Sequence, residues 1–189
     1  MNALQSLQIL LDGNARYQSG ECTMSNPPSA RAKLVQGQTP IAGVIRCADS
    51  RVAPEIVFDQ PLGNLFVCGV AGNIPTLDII ESMEFAVHSF GISLIVIMGH
   101  SQCGAVTAAM QQNITGGVFA QVSLAPIPDL DECIAHNAEQ GVTRILESSL
   151  YLEQEVQNGT LQIVAGVQDI ESGAFELVAQ TSTAPRTAD

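Results

Sequence analysis

The stretch LIVIMGHSQCG, residues 94–104, decides the fold class of this chain. Its first five residues are an unbroken apolar run bounded by turn-forming residues, which is typical of a strand buried on both faces of a sheet. That strand delivers His100 to the edge of the sheet, and Cys103 follows three residues later. A second apolar segment, residues 41–46, runs in the same way into Cys47. In open α/β sheets, functional sites lie beyond the carboxyl ends of the strands, so both strand ends are candidate site positions.

Helical and strand patterns alternate along the rest of the chain. Near the N-terminus, Leu4, Leu7 and Leu11 form an apolar stripe, which predicts a helix that breaks from Gly13 onward and is followed by an extended arm. Further helices are predicted over residues 54–59, 78–90 and 103–112, and two more over 129–157, with a break near 148–149. Further strands are predicted over residues 65–70, 161–167 and 174–178. This alternation predicts an α/β fold: a mostly parallel central sheet flanked by helices, with an N-terminal helical arm and a C-terminal antiparallel hairpin strand.

Length and composition limit the possible architectures and partners. With 189 residues, 46% of them hydrophobic, we expect a single domain over residues 1–180 and a flexible tail over 181–189. Asp and Glu number 19 against 7 Lys and Arg, and the net charge of −12 argues against nucleic acid or a membrane surface as a partner. No apolar run approaches the roughly 20 residues of a membrane helix, and no basic residue precedes Arg16, so a cytoplasmic location is expected.

Two cysteines and one histidine stand at the two strand ends. Cys47, His100 and Cys103 are a ligand set that suits a catalytic zinc ion, because thiolate and imidazole are preferred zinc ligands and a fourth position stays open for water. The alternative is that both cysteines are small buried hydrophobic residues, as free cysteines often are. Of the other cysteines, Cys68 is expected in the core, whereas Cys22 and Cys133 are expected to face solvent.

Several motifs carry a family resemblance. CADSRV at 47–52 and GHSQCGA at 99–105 resemble the paired signatures of the β-class carbonic anhydrases. The similarity extends to further segments over nearly the whole chain: GNARY at 13–17, FDQPLG at 58–63, AGN at 71–73 and, more weakly, GVQDIESG at 166–173.

The resemblance implies a function and a site. It implies reversible hydration of carbon dioxide to bicarbonate and a proton through a zinc-bound hydroxide, with one Zn²⁺ per chain held by Cys47, His100 and Cys103. It further implies a catalytic pair, Asp49 and Arg51, and a substrate-binding role for Gln38. The expected assembly is a homodimer or homotetramer with the active site near the subunit interface and the N-terminal helix against a neighbour.

The role of Asp49 stays open between two arrangements. Its carboxylate either occupies the open zinc position or is held away from the metal by a bidentate contact with Arg51. Without a neighbouring ligand cysteine, the same pair would be an ordinary loop salt bridge that contributes little to stability.

Two residues depart from the family pattern. Gly69 stands where the family has an arginine that belongs to an inhibitory bicarbonate pocket, and Val44 and Gln168 replace its other members, so we expect no such regulation. Arg46 stands where the family mostly has a small or apolar residue. Either its guanidinium reaches the space beside Gly69 and restores a lost ion pair, or it faces solvent or a subunit boundary.

Three other functions compete with the hydratase. The segment 99–103 nearly matches the G-x-S-x-G turn of serine hydrolases, with Ser101 as nucleophile, although Cys103 replaces the second glycine and Asp131 and His136 would have to complete the triad. A carbon disulfide or carbonyl sulfide hydrolase would use the same zinc ligands. A catalytically silent relative of the family is the third alternative, raised by Gly69.

Overall fold

In the computed structural model, residues 1–112, 116–126 and 129–181 are described. The helices are α1 (Ala3–Ser19), α2 (Pro28–Leu34), α3 (Pro54–Val57), α4 (Leu77–Phe90), α5 (Gly104–Met110), α6 (Leu130–Ser148) and α7 (Leu150–Gln157). The strands are β1 (Ala42–Cys47), β2 (Leu65–Val70), β3 (Leu94–His100), β4 (Gln162–Gln168) and β5 (Phe175–Gln180), and short 3₁₀ turns cover Ala71–Asn73 and Gly117–Gln121.

The strands form one sheet in the order β2-β1-β3-β4-β5. Strands β2, β1, β3 and β4 run parallel to one another, and β5 returns antiparallel to β4. This architecture confirms the predicted α/β fold with its C-terminal hairpin strand. Because β1 and β3 are adjacent and parallel, the segments that follow them lie at the same edge of the sheet.

Helices cover both faces of the sheet. Every residue of β3 is buried, and its side chains alternate between two cores: Val96 and Met98 pack on one face, Ile95 and Ile97 on the other. The first core also holds residues of α1, α3 and α5, and the second holds residues of α4 and α7, while α6 contributes to both. Burial of each large aliphatic side chain contributes roughly 1.5–3 kcal/mol, so this strand fixes the sheet between its helical layers.

Helix α1 is longer than the sequence pattern predicts. It continues through Gly13 and ends at Gly20, which adopts a left-handed conformation with φ of 75°. Position 13 of the helix requires glycine, because a Cβ atom there would overlap the carbonyl group of Phe58. The expected break was therefore wrong at Gly13. The arm that follows is also not wholly extended, since it contains α2.

The arm is fastened to the domain by a buried carboxylate. Asp59 accepts hydrogen bonds from the backbone N–H groups of Thr23 and Met24, and Arg16 Nε lies 2.5 Å from its Oδ2 atom. Burial alone would raise the pKa of Asp59, but the hydrogen bonds from the Thr23 backbone, Arg16 and Met24 outweigh it and hold this pKa well below its usual range.

Two cysteines lie elsewhere than predicted. Cys133 is fully buried on α6 instead of facing solvent, because it lies on the side of this amphipathic helix that packs into the core beside Ile134. Cys68 is only half-buried in β2, which is an edge strand, and Cys22 is exposed as predicted.

The predicted loop at 111–128 contains one 3₁₀ turn, and its segments 113–115 and 127–128 lie outside the described residues. Of the predicted tail at 181–189, all but residue 181 lies outside them as well. Within the described part of the chain, no helix has the length and apolar character to cross a bilayer.

Candidate metal centre

Three buried side chains converge at the carboxyl edge of the sheet. Cys47 is the last residue of β1, His100 is the last residue of β3, and Cys103 caps the N-terminus of α5. One ligand atom from each lies within 4.8 Å of the other two, and the two sulfur atoms are 4.0 Å apart. The adjacent parallel strands therefore bring together the three residues that the sequence predicts as metal ligands.

The histidine ring is oriented for a metal ion. A carbonyl oxygen can only accept, so the Nδ1 atom of His100 carries the proton that it donates to the Ser101 carbonyl at 2.9 Å. In the neutral ring the free lone pair is then on Nε2, and that atom is buried with no hydrogen-bond partner among the described residues. A buried polar atom without a partner is costly, and a metal ion beside the two thiols would satisfy it.

The donor set and its spacing fit zinc. Two Zn–S bonds of roughly 2.3 Å can span up to about 4.6 Å between sulfur atoms, so one ion fits between Sγ atoms that are 4.0 Å apart. Two thiolates and one imidazole are three protein ligands, which leaves a tetrahedral ion with one open position.

The surroundings of Cys47 favour its thiolate. The hydrogen bond with Cys103, opposed by burial and assisted by the backbone N–H of Gly72, lowers the pKa of Cys47. The same contact with Cys47, together with burial, raises the pKa of Cys103. A metal ligand must be a thiolate, so a cation bound between the two sulfurs would displace any thiol proton held there.

Gly72 is held in place by a side chain that the sequence did not single out. Its N–H donates to Cys47 Sγ at 3.2 Å, and its carbonyl accepts from the buried side chain of Asn137 at 2.9 Å. Gly72 has φ of 79°, a conformation that favours glycine. The motif AGN at 71–73 was a signal for Gly72, but nothing in the sequence around Asn137 indicates a contact 65 residues away.

Asp49 is paired with Arg51 in this structure. Its Oδ1 accepts from the backbone N–H and Nε of Arg51, both at 2.9 Å, and its Oδ2 accepts from Nη2 at 2.7 Å. The Arg51 side chain outweighs burial and holds the pKa of Asp49 well below its usual range. Asp49 Oδ2 also lies 3.9 Å from His100 Nε2, so the carboxylate is beside the metal cluster without entering it. Of the two predicted arrangements, this is the one in which Arg51 holds the carboxylate.

Gln38 is not part of the cluster within one chain. It is exposed and precedes β1, and it lines a cavity with Ile92 and Ser93, which precede β3. This cavity is at the amino edge of the two parallel strands, whereas Cys47 and His100 are at the carboxyl edge.

The serine-hydrolase alternative finds no support in the geometry. Ser101 Oγ accepts a hydrogen bond from the backbone N–H of Ile170 at 2.9 Å, and the adjacent His100 ring is directed to the cysteine cluster. The histidine of the predicted triad, His136, instead has its Nδ1 atom 4.0 Å from Glu139 Oε2.

Comparisons with known proteins agree with the site geometry. A family model described as carbonic anhydrase matches residues 42–129. A carbonic anhydrase of Mycolicibacterium smegmatis is 34% identical over 192 residues, covering 93% of each chain. Carbonic anhydrase 2 of Mycobacterium tuberculosis is 32% identical over 188 residues, covering 91% of each chain. Among solved structures, a tetrameric β-carbonic anhydrase of Sordaria macrospora superposes with a TM-score of 0.72 at 23% identity, covering 94% of this chain and 100% of the other.

Proposed function

Since the chain belongs to the carbonic anhydrase family and has the β-class fold, we propose that Cys47, His100 and Cys103 hold the zinc ion of its active site. The chain is an enzyme that hydrates carbon dioxide reversibly to bicarbonate and a proton. The observation that carries the assignment of the site is the buried group of two thiols around the unpartnered Nε2 of His100. Zinc bound there would act as a Lewis acid that makes hydroxide available from water.

Asp49 and Arg51, which lie beside the cluster, are assigned different roles. Arg51 holds the Asp49 carboxylate through two side-chain hydrogen bonds, so Asp49 keeps its charge and its position beside His100. We assign to Asp49 the orientation of the water that attacks carbon dioxide, by accepting a hydrogen bond from it. Arg51 also donates to the carbonyl of Gln102 at 3.4 Å, and it thereby links the two loops that carry the ligands.

We assign Gln38 to the active site of a second copy of the chain. Its amide is a hydrogen-bond donor suited to an oxygen atom of carbon dioxide or bicarbonate. In its own chain it lies at the opposite edge of the sheet from Cys47. A homodimer or homotetramer with the active site near the subunit interface would bring Gln38 of one chain to the metal cluster of another.

The two zinc-dependent alternatives use the same metal ligands as the hydratase and differ from it in the reaction that the site would catalyse. Carbon disulfide or carbonyl sulfide hydrolysis would use the same cluster, but the relatives with 32–34% identity over more than nine-tenths of the chain are carbonic anhydrases. A catalytically silent protein would keep the metal and lack turnover.

Metal analysis combined with stopped-flow hydration of carbon dioxide tests the proposal. We expect about one zinc per chain and activity that a chelator removes and added Zn²⁺ restores. Cys103→Ser should lose both zinc and activity, whereas Cys22→Ser, which removes an exposed thiol, should keep both. A Cys103→Ser variant that retains full zinc and turnover would refute the assigned ligands. A zinc-loaded wild-type chain without hydration activity would support the catalytically silent alternative. A chain that turns over carbon disulfide but not carbon dioxide would support the hydrolase alternative.

A further inference from the structure

Arg46 and Gly69 face each other across two neighbouring strands. Arg46 precedes Cys47 in β1, and its register partner in β2 is Gly69. A Cβ atom placed on Gly69 would lie 3.3 Å from Arg46 Cγ, 3.7 Å from its Nε and 3.1 Å from its carbonyl oxygen. The arginine side chain therefore lies across the bare Cα of Gly69, in space that a side chain at position 69 would need.

The guanidinium is bonded to the backbone of the site loop. Arg46 Nη1 donates to the carbonyl of Cys47 at 2.6 Å and approaches the carbonyl of Asp49 at 3.4 Å. These two carbonyls belong to the residue that supplies a metal ligand and to the residue that carries the catalytic carboxylate. Arg46 thus contacts the Cys47–Asp49 turn on its backbone side, while Arg51 holds the Asp49 side chain.

A stabilising ion pair does not explain this arginine. Among the ion pairs of the described residues, none involves Arg46, and its Nε is buried without a hydrogen-bond partner. A half-buried guanidinium with an unsatisfied donor carries a desolvation cost that a surface residue would avoid. The hydrogen bonds that this guanidinium does make are with backbone carbonyls of the site loop.

We propose that Arg46 is a positioning residue of the active site, which fixes the Cys47–Asp49 turn through its backbone carbonyls, and that the lack of a side chain at position 69 leaves room for it. Arg46 and Gly69 form one unit: the glycine supplies the space and the arginine supplies the hydrogen bonds. The inference rests on the proposed metal site, since it concerns the placement of that site's ligand and carboxylate.

A double-mutant cycle of Arg46→Ala and Gly69→Ala tests the unit. Each variant is measured for zinc affinity by competition with a chelator, for kcat and KM of carbon dioxide hydration, and for thermal unfolding. Loss of a residue that orients a metal ligand typically costs about 10–100-fold in metal affinity or activity, and we expect Arg46→Ala to lose that much in zinc affinity and kcat, with KM unchanged. Gly69→Ala should cause a similar loss while Arg46 is present, and little further loss in the Arg46→Ala chain.

The controls separate positioning from general destabilisation. Arg46→Lys keeps a donor near the same carbonyls and should recover part of the lost zinc affinity. Arg31→Ala removes an exposed arginine on α2, whose contact is a 3.4 Å hydrogen bond to the Asn26 carbonyl, and should leave zinc affinity and kcat at wild-type values. If Arg46→Ala does not fold, Arg46→Lys and Gly69→Ala still carry the test, because each should weaken zinc binding without abolishing the fold.

Two results would overturn the proposal. One is an Arg46→Ala chain with wild-type zinc affinity and kcat, and the other is a Gly69→Ala change whose cost is equal in both backgrounds. The wild-type chain is assayed in the same series, so a wild-type chain without zinc or turnover would instead reject the proposed function.

Discussion

At the scale of single residues, a variant at Asp49 should distinguish metal binding from catalysis. Its carboxylate is 3.9 Å from His100 Nε2, yet it is bonded to Arg51 and lies outside the ligand set of two cysteines and one histidine. A change at Asp49 should therefore reduce turnover and leave the metal in place. This distinguishes it from changes at the three ligands, which should remove both.

Asp49→Asn should lower kcat by about 100-fold or more, because a neutral amide would replace the charged acceptor that is proposed to orient the attacking water. Zinc content, measured by atomic emission, should stay near the wild-type value. Asp12→Asn is the matched control, since Asp12 is an exposed helical residue bonded to Gln8. A loss of zinc in Asp49→Asn would show that Asp49 is a ligand, as in the other arrangement predicted from the sequence.

Asn137 offers a second residue-scale test, directed at the support of Cys47. Its Nδ2 donates to the Gly72 carbonyl, and its Oδ1 accepts from the Ser123 backbone N–H at 3.0 Å. Asn137→Ala should leave both backbone groups without a partner, which costs about 1–3 kcal/mol in the free energy of unfolding. Urea unfolding measures this cost, with Asn158→Ala at the exposed end of α7 as control. We also expect weaker zinc binding, because Gly72 donates a hydrogen bond to Cys47. Zinc affinity that is unchanged in competition with a chelator would show that Asn137 does not support the metal site.

At the scale of elements, local patterns predict strands and helices well, and long-range contacts account for the errors. The apolar runs predicted β2 with the ends that the structure shows, and they predicted His100 at the end of β3. Gly13 looked like a helix breaker because the sequence does not reveal the Phe58 carbonyl that packs against it. Cys133 looked exposed because its sequence neighbours are polar, although its own face of α6 is apolar. In both cases the deciding contact comes from a distant part of the chain.

The attachment of the N-terminal arm should depend on pH through Asp59. The pKa of this carboxyl is lowered in the folded chain, so its charged form stabilises the fold above its unfolded pKa of about 4, and this stabilisation is lost as the pH falls through the lower folded value. Asp59→Asn should therefore unfold at lower urea concentration than wild type at pH 7. The difference should shrink below about pH 4. A gap between the two urea midpoints that is constant from pH 7 to pH 3 would contradict this account.

At the scale of the whole molecule, the parallel sheet separates two parts of the proposed site. The metal cluster follows the carboxyl ends of β1 and β3, whereas Gln38 precedes β1. At about 3.3 Å per residue, β1 alone spans on the order of 16 Å, which is too far for one chain to bring Gln38 to its own metal. The motifs suggest both parts of the proposed site, and the direction of the strands places these parts at opposite edges of the sheet within one chain.

Mixed assemblies test whether Gln38 acts across a subunit boundary. Cys103→Ser lacks the metal site but keeps Gln38, and Gln38→Ala keeps the metal site but lacks the amide, so each variant alone should have little activity. When both chains are denatured and refolded together, hybrid dimers contain one complete site, formed by the metal cluster of one chain and Gln38 of the other. Random pairing gives half hybrids with one intact site of two, so the mixture should recover about a quarter of the wild-type activity. Wild-type chains taken through the same refolding set the reference value. Recovery that does not exceed the sum of the two separate variants would mean that Gln38 does not act across the interface.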